Sequence, residues 1–300
     1  MDVTLLGTGA LLPIPERFLS AAYVSFFGSG ILFDCGEGTQ VAARSAKISF
    51  ARMNLIALTH YHGDHIFGIP GLLQSMGAME RREPLYITGP DDLERELEPL
   101  LRLAGALPYT VELVSVPKDG LRLPMWRREA ALFAFPTRHR APSQGYVLTL
   151  SRAGAFLPEK ARALGIHVRD WQKLQRGETV AGITPDQVMT PPRRGLKFVF
   201  SGDTAQCPSL IEAGKDADLM VLDATYALDT QREQATLYGH MTFSQAASVA
   251  RDAGCRQMWL THFSQMQKAP EENAAYATQI FPNTRVGFDG MRETLRYRED

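Results

Sequence analysis

The sequence is poor in cysteine, in long apolar runs and in any excess of charge of one sign. Cys35, Cys207 and Cys255 are the three cysteines, and they never form a CxxC pair. An odd, scattered set of this kind argues against a disulfide or Cys-based zinc framework, and a reducing cytoplasm is the expected compartment. Buried thiols are the ordinary reading of all three. No apolar stretch approaches the roughly 18–20 residues that span a bilayer, so no membrane segment is expected. The start, MDVTLLGTGALLP, has no basic n-region and meets Gly7 and Gly9 early, so it does not read as a signal peptide. Repeats and low-complexity tracts are also missing. The formal net charge is −1, with 45% hydrophobic and 22% charged residues, ordinary for a globular chain of 300 residues.

What the chain does have is one pattern used five times: a short, β-rich apolar run that ends on a residue able to bind metal. The runs are Asn54 to His60, Leu132 to His139, Lys197 to Asp203, Asp218 to Asp223 and Gln257 to His262. Pro136 predicts that the second strand stops early. Strands that each deliver a His or Asp at their end imply a shared rim where those side chains converge. Helical stretches lie between them. Asp91 to Leu103 carries leucines at helical spacing, with Pro99 expected to shorten it. Thr242 to Ala253 has a capping threonine, a stripe of Ala246, Ala247, Val249 and Ala250, and Gly254 as a stop. The alternation predicts an α/β layered domain. Residues 151–197 stand apart, with nine Lys/Arg against four Asp/Glu, a net of +5 in a chain that is otherwise acidic. Such a segment reads either as a site for a polyanion or as a solvated insertion.

Thr59-His-Tyr-His-Gly-Asp-His65 is the sharpest signal. His60 and His62, two apart, project to one side of an extended backbone. Imidazoles suit zinc, and Asp64 with His65 can serve a second ion. Gly63 is expected to let the backbone turn so that both sets point inward. One histidine alone is weak ground for a ligand, but four candidate ligands within six residues rarely occur without a metal. Of the other histidines, His139 and His262 end strands, His240 precedes the capped helix, and His167 has no evident role.

HxHxDH, an isolated His, Ser201-Gly-Asp-Thr204 and Thr261-His-Phe-Ser264, in this order, resemble the metallo-β-lactamase fold. More narrowly the chain resembles the ribonuclease Z family, which trims the 3′ trailer from precursor tRNA. The likeness runs from Leu5-Leu-Gly-Thr-Gly9 and Leu32-Phe-Asp-Cys-Gly-Glu-Gly-Thr-Gln40 through His65 to Leu73, Ala217 to Thr225 and Gly239-His-Met-Thr242. It implies an αββα sandwich, a single domain over residues 1–300 with an inserted basic arm at about 151–197. It also implies two Zn²⁺ per chain, one held by His60, His62 and His139 and the other by Asp64, His65 and His262, with Asp203 bridging. Asp64 would in addition be the general base, and Asp34 would steady the ligands from behind.

The family's Glu–His proton donor would be Asp223 with His240, a carboxylate one methylene shorter than the family's. The loop resembling PxKxRN reads Pro13-Ile-Pro-Glu-Arg-Phe18, keeping Pro13 and Arg17 but losing the Lys and Asn. Gln265-Met-Gln267 replaces the usual Ala-Arg-Tyr. RNA contacts are expected from Arg17, Lys173, Arg176, Arg193 and Arg194, with precursor tRNA as substrate and a homodimer as the assembly. Two alternatives remain: a hydrolase of a smaller ester, such as a phosphodiester, sulfate ester or lactone, and a di-iron redox or sensing protein on the same ligands.

Overall fold

A computed structural model describes residues 1–298. Two compact units emerge, one of residues 1–149 with 197–296, the other of residues 150–196 with Tyr297 and Arg298. The first contains two β-sheets. Six strands lead into them in chain order: β1 (Asp2–Gly7), β2 (Ala21–Phe26), β3 (Ser29–Phe33), β4 (Met53–Ala57), β5 (Leu85–Thr88) and β6 (Val111–Leu113). The next six are β7 (Ala130–Pro136), β8 (Gln144–Arg152), β9 (Arg193–Phe200), β10 (Leu219–Asp223), β11 (Met258–Thr261) and β12 (Thr284–Val286). A last strand, β13 (Arg292–Thr294), returns to the first sheet. The orders are β13-β1-β2-β3-β4-β5-β6 and β12-β11-β10-β9-β8-β7.

The strands from β3 to β6 are parallel, as are those from β9 to β12. Parallel strands are covered on both faces, which explains why β4, β10 and β11 read as nearly unbroken apolar runs. The inner faces meet through Phe33, whose ring lies 5.5 Å from Phe198, 5.4 Å from Phe200 and 5.8 Å from Tyr146. Outside the first sheet, the helices Thr39–Ser45, Ile69–Ala78 and Leu93–Ala104 cover a core that includes Leu32, Ile56, Leu72 and Leu97. Outside the second, Pro208–Gly214 and Phe243–Asp252 cover Leu222, Val249 and Leu260. Together these layers make the expected αββα sandwich.

The helix Phe243–Asp252 forms for the reasons its sequence offers. Thr242 caps it by accepting from the Gln245 N–H at 3.3 Å, the stripe of Ala246, Ala247, Val249 and Ala250 is buried, and Gly254 has φ 64° just beyond its end. Pro99 does not shorten its helix as expected: Leu93–Ala104 runs straight through it. Pro99 is exposed, so the carbonyl its ring leaves unpaired can bond to water. Among the described residues no helix is long and apolar enough to cross a membrane. The second unit has its own small core of Ala161, Ile166, Leu174 and Val188.

Candidate metal centre

Ligand-bearing residues leave the carboxyl ends of parallel strands. Asp34 follows β3, Thr59 and His60 follow β4, Asp203 follows β9, Asp223 closes β10 and His262 follows β11. The ends of neighbouring parallel strands point the same way, so these side chains gather on one rim of the sandwich. His139 reaches it from the segment after β7, which stops at Pro136. The rim is braced from below by the buried Tyr146 hydroxyl, which donates to the Leu58 carbonyl at 2.7 Å.

Side-chain nitrogens and oxygens from separate segments converge there. His60 Nε2 is 2.9 Å from His62 Nδ1, which is 3.3 Å from His139 Nε2. His65 Nε2 is 3.2 Å from His262 Nε2. Asp203 faces both groups, with Oδ2 3.6 Å from His60 Nε2 and Oδ1 3.4 and 3.2 Å from the Nε2 atoms of His65 and His262. Asp203 Oδ1 is buried and accepts no hydrogen bond. A buried carboxylate oxygen left in that condition is costly unless a cation takes it. In each of three sets the donor atoms lie within 4.8 Å of one another: His60, His62, His139 and Asp203; Asp64, His65 and His262; and Asp203, Asp223, His240 and His262.

The outward nitrogens explain why the inward ones are free. His60 Nδ1 is 3.1 Å from Thr59 Oγ1, His65 Nδ1 2.7 Å from Asp34, His139 Nδ1 3.0 Å from the Gly239 carbonyl, and His262 Nδ1 2.9 Å from Thr225 Oγ1. An imidazole that donates from Nδ1 presents a lone pair at Nε2, the arrangement metal-binding histidines show. His62 is the exception, turning Nδ1 inward. Asp64 is set differently: its Oδ2 accepts from the Leu11 N–H at 2.8 Å.

Electrostatics favours positive charge here. Burial pushes the His60 imidazole well below its usual range, which keeps its lone pair available. Burial opposes ionisation of Asp203, yet the imidazoles of His262 and His65 outweigh it and hold the acid well below the usual carboxylate range. Asp64 is lowered in the same way against its own burial, chiefly by His262 and His65. His65 is raised despite burial, because Asp203 and Asp34 flank it. A cavity that draws a proton onto His65 draws a cation for the same reason. The donor set, borderline nitrogen with carboxylate oxygen, suits a divalent transition metal.

Beside this centre, Asp223 Oδ2 accepts from His240 Nδ1 at 2.7 Å. The methylene missing from Asp223 therefore does not break the pair. Burial lowers the His240 imidazole, but the Asp223 charge overrides it and raises the group to about 9. A cavity of about 840 Å³ opens over the rim, with His62, Asp64, His139, Asp203, His240 and His262 in its wall. Leu11, Leu12, Phe67, Arg140, Tyr226 and Tyr238 line the rest.

Some expectations change. Gly63 turns the chain inside the short helix Gly63–Ile66 rather than through a conformation reserved for glycine. What it supplies is room, since a Cβ there would sit 2.3 Å from the Phe67 ring. Arg17 lies 5.4 Å over the Phe263 ring and donates to the Gln267 carbonyl at 3.1 Å. Lys173 pairs with Asp170 at 2.8 Å and Arg193 donates to the Ala153 carbonyl at 3.1 Å, while Arg176 and Arg194 are exposed. Sequence reasoning missed Thr59, Thr225 and the Gly239 carbonyl as partners of the imidazoles. Their only signal was a position beside a ligand.

Comparison with known proteins agrees with this geometry. Residues 30–263 match the model of the β-lactamase superfamily domain. Ribonuclease Z of Lachnoclostridium phytofermentans is 37% identical over 303 residues, 99% of this chain and 98% of that protein. The Agathobacter rectalis ribonuclease Z is 37% identical over 304 residues, all of both chains. The crystal structure of the short form of human tRNase Z superposes with a TM-score of 0.70 at 25% identity, covering 99% of this chain and all of that one. A metallo-β-lactamase-fold protein of Bacillus subtilis, YhfI, shares the fold at a TM-score of 0.70 and 17% identity, over 98% of this chain and 99% of its own. Sequence, fold and rim chemistry thus converge, and the chain belongs to the ribonuclease Z family of the β-lactamase superfamily.

Proposed function

We propose that this metal-dependent hydrolase is a dinuclear-zinc phosphodiesterase that cuts the 3′ trailer from precursor tRNA. One observation carries the reading: two cation-sized donor sets joined by Asp203 stand beside an Asp223–His240 pair in a single open cavity. His60, His62 and His139 would hold one ion, Asp64, His65 and His262 the other, and Asp203 both. Ions so placed lower the pKa of water and offset the charge that builds on the attacked phosphorus. The chain's own groups do the rest. Asp64, fixed by the Leu11 N–H, takes the proton of the attacking water, and Asp34 keeps His65 oriented. His240, held by Asp223, gives its proton to the leaving 3′ oxygen.

The relatives' names supply the substrate class, and the basic arm supports it, because contacts to phosphate give most sequence-independent affinity for RNA. Arg17, Lys173, Arg176, Arg193 and Arg194 are our candidates for those contacts. By family resemblance the working unit is a homodimer in the cytoplasm, and the three free thiols fit a reducing compartment. A second reading, hydrolysis of a smaller ester, draws on the loop at 13–18, whose one retained arginine is engaged by Phe263 and Gln267. Cleavage of a precursor tRNA and of a chromogenic phosphodiester, each across a salt series, separates the two. Salt-sensitive RNA cutting at the end of the acceptor stem supports the first reading. Turnover of the small ester without any RNA cutting at low salt would replace it with the second.

A further inference from the structure

The same hydrogen-bond device occurs on both sheets. In the first, the Thr59 hydroxyl lies 2.9 Å from Asp34 Oδ2 and 3.1 Å from His60 Nδ1, while Asp34 Oδ2 also meets His65 Nδ1 at 2.7 Å. In the second, the Thr225 hydroxyl lies 2.8 Å from Asp223 Oδ1 and 2.9 Å from His262 Nδ1, while Asp223 Oδ2 meets His240 Nδ1 at 2.7 Å. Each carboxylate thus carries one imidazole directly and a second through a threonine. The two assemblies differ in what they join. On the first sheet both imidazoles belong to the proposed cation sites. On the second, one belongs to a cation site and the other is the proposed proton donor.

Counting protons gives the Thr225 hydroxyl a defined direction. Asp223 accepts four bonds, from the Thr225 N–H and hydroxyl on Oδ1 and from the Thr204 N–H and His240 on Oδ2. The one hydroxyl proton is therefore committed to Asp223, and toward His262 Nδ1 the Thr225 oxygen acts as acceptor; His240 Nδ1 also lies 3.1 Å from it but donates to the nearer Asp223. That turns Nε2 of His262 toward Asp203 and Asp64, at 3.2 and 3.4 Å. His262 also needs to be held, since its φ of 62° is a left-handed conformation that costs a non-glycine residue energy. The Thr225 carbonyl helps, accepting from the Ser264 N–H and from Gln267 Nε2 just past His262.

We propose that Thr225 is a positioning residue that fixes the tautomer and orientation of His262 and keeps the Asp223–His240 pair in register with the cation site. This rests on the reading of His262 as a ligand and of His240 as the acid. Zinc alone, titrated against a chromophoric chelator, tests the first half without any turnover. Thr225→Val, which keeps the shape and removes the hydroxyl, should weaken the more weakly held ion by about 10–100-fold. Thr225→Ser should bind within a few-fold of wild type, and Thr225→Ala replaces the valine variant if that one does not fold. At saturating zinc, Thr225→Val should lower kcat on precursor tRNA with little change in KM, and Thr225→Ser should restore it. The loss should shrink in a His240→Ala background, because the pair it positions is already gone. Unchanged zinc affinity in the Val and Ala variants would overturn the proposal, as would equal defects in Ser and Val. Failure of the underlying reading has a different signature: His262→Ala would then bind zinc as wild type does.

Discussion

Asp289 holds both ends of the loop that reaches over the cation site: its Oδ1 accepts from the N–H and hydroxyl of Thr8, and its Oδ2 from the Phe18 N–H at 2.6 Å. Between these stems Gly9 N–H bonds to the Phe18 carbonyl, and Leu11, at φ 63°, turns its N–H onto Asp64. Burial raises the Asp289 carboxyl, so ionising it costs stability, and the three donors repay part of that cost. Asp289→Ala leaves the Phe18 N–H without an acceptor and should cost about 1–3 kcal/mol in a denaturant melt. It should also slow turnover of RNA and small ester alike, because the loop that sets Asp64 loosens. An unchanged melt would show that solvent replaces the carboxylate.

Metal content follows from the Asp203 geometry. Elemental analysis should find about two zinc ions per chain. His62→Ala and Asp203→Ala should each lose metal together with activity, since each removes a donor atom from the set that would hold the ion. Chelation of the wild type should abolish activity, and zinc should restore it. Protein that is fully active after exhaustive chelation would contradict the site.

His240 is grouped with Asp203, Asp223 and His262, but its Nδ1 donates to Asp223 at 2.7 Å, so its loss should spare ions held by the other two sets. His240→Ala should retain both ions yet slow cleavage of an RNA leaving group by roughly 10²–10⁴-fold. A nitrophenolate leaving group needs little protonation and should be far less affected. Equal losses on the two substrates would rule out a proton-donating role.

The arm's role is separable because residues 155–190 supply no candidate ligand and the compact unit they belong to has its own core. Replacing them with a short Gly/Ser bridge should abolish cleavage of precursor tRNA and leave hydrolysis of a chromogenic phosphodiester nearly unchanged. In the intact protein, RNA affinity should fall steeply with salt as neutralised phosphates regain counterions. RNA cleavage that survives the deletion would place the binding elsewhere.

Much of the candidate site was legible because His60, Asp203, Asp223 and His262 each sit where an apolar run ends, after β4, after β9, in β10 and after β11. Apolar runs alternating with helical stretches made an α/β layered domain legible, while the two-sheet sandwich followed from the family resemblance. What could not be read was anything fixed by contact between distant segments. Asp289 sits in Gly287-Phe-Asp-Gly290, an ordinary turn sequence, and acts on residues near the other end of the chain. Thr225 resembles any threonine after a strand until its hydroxyl is found between Asp223 and His262. Pro99 shows the converse failure, a strong local rule overridden because the position faces water.

The pairing of β13 with β1 has a consequence for how the protein is made. Asp2, Val3 and Thr4 take Thr294, Glu293 and Arg292 as their partners, so one side of β1 stays open until residues 292–294 have been made. His262 and Asp289 also arrive late, after His60, His62 and Asp64 have long been synthesised. A half-made chain therefore exposes a strand edge that invites association with its neighbours. It also lacks a ligand of the second cation site. A chain assembled in this order brings the two proposed cation sites to completion only after residue 262 has been made.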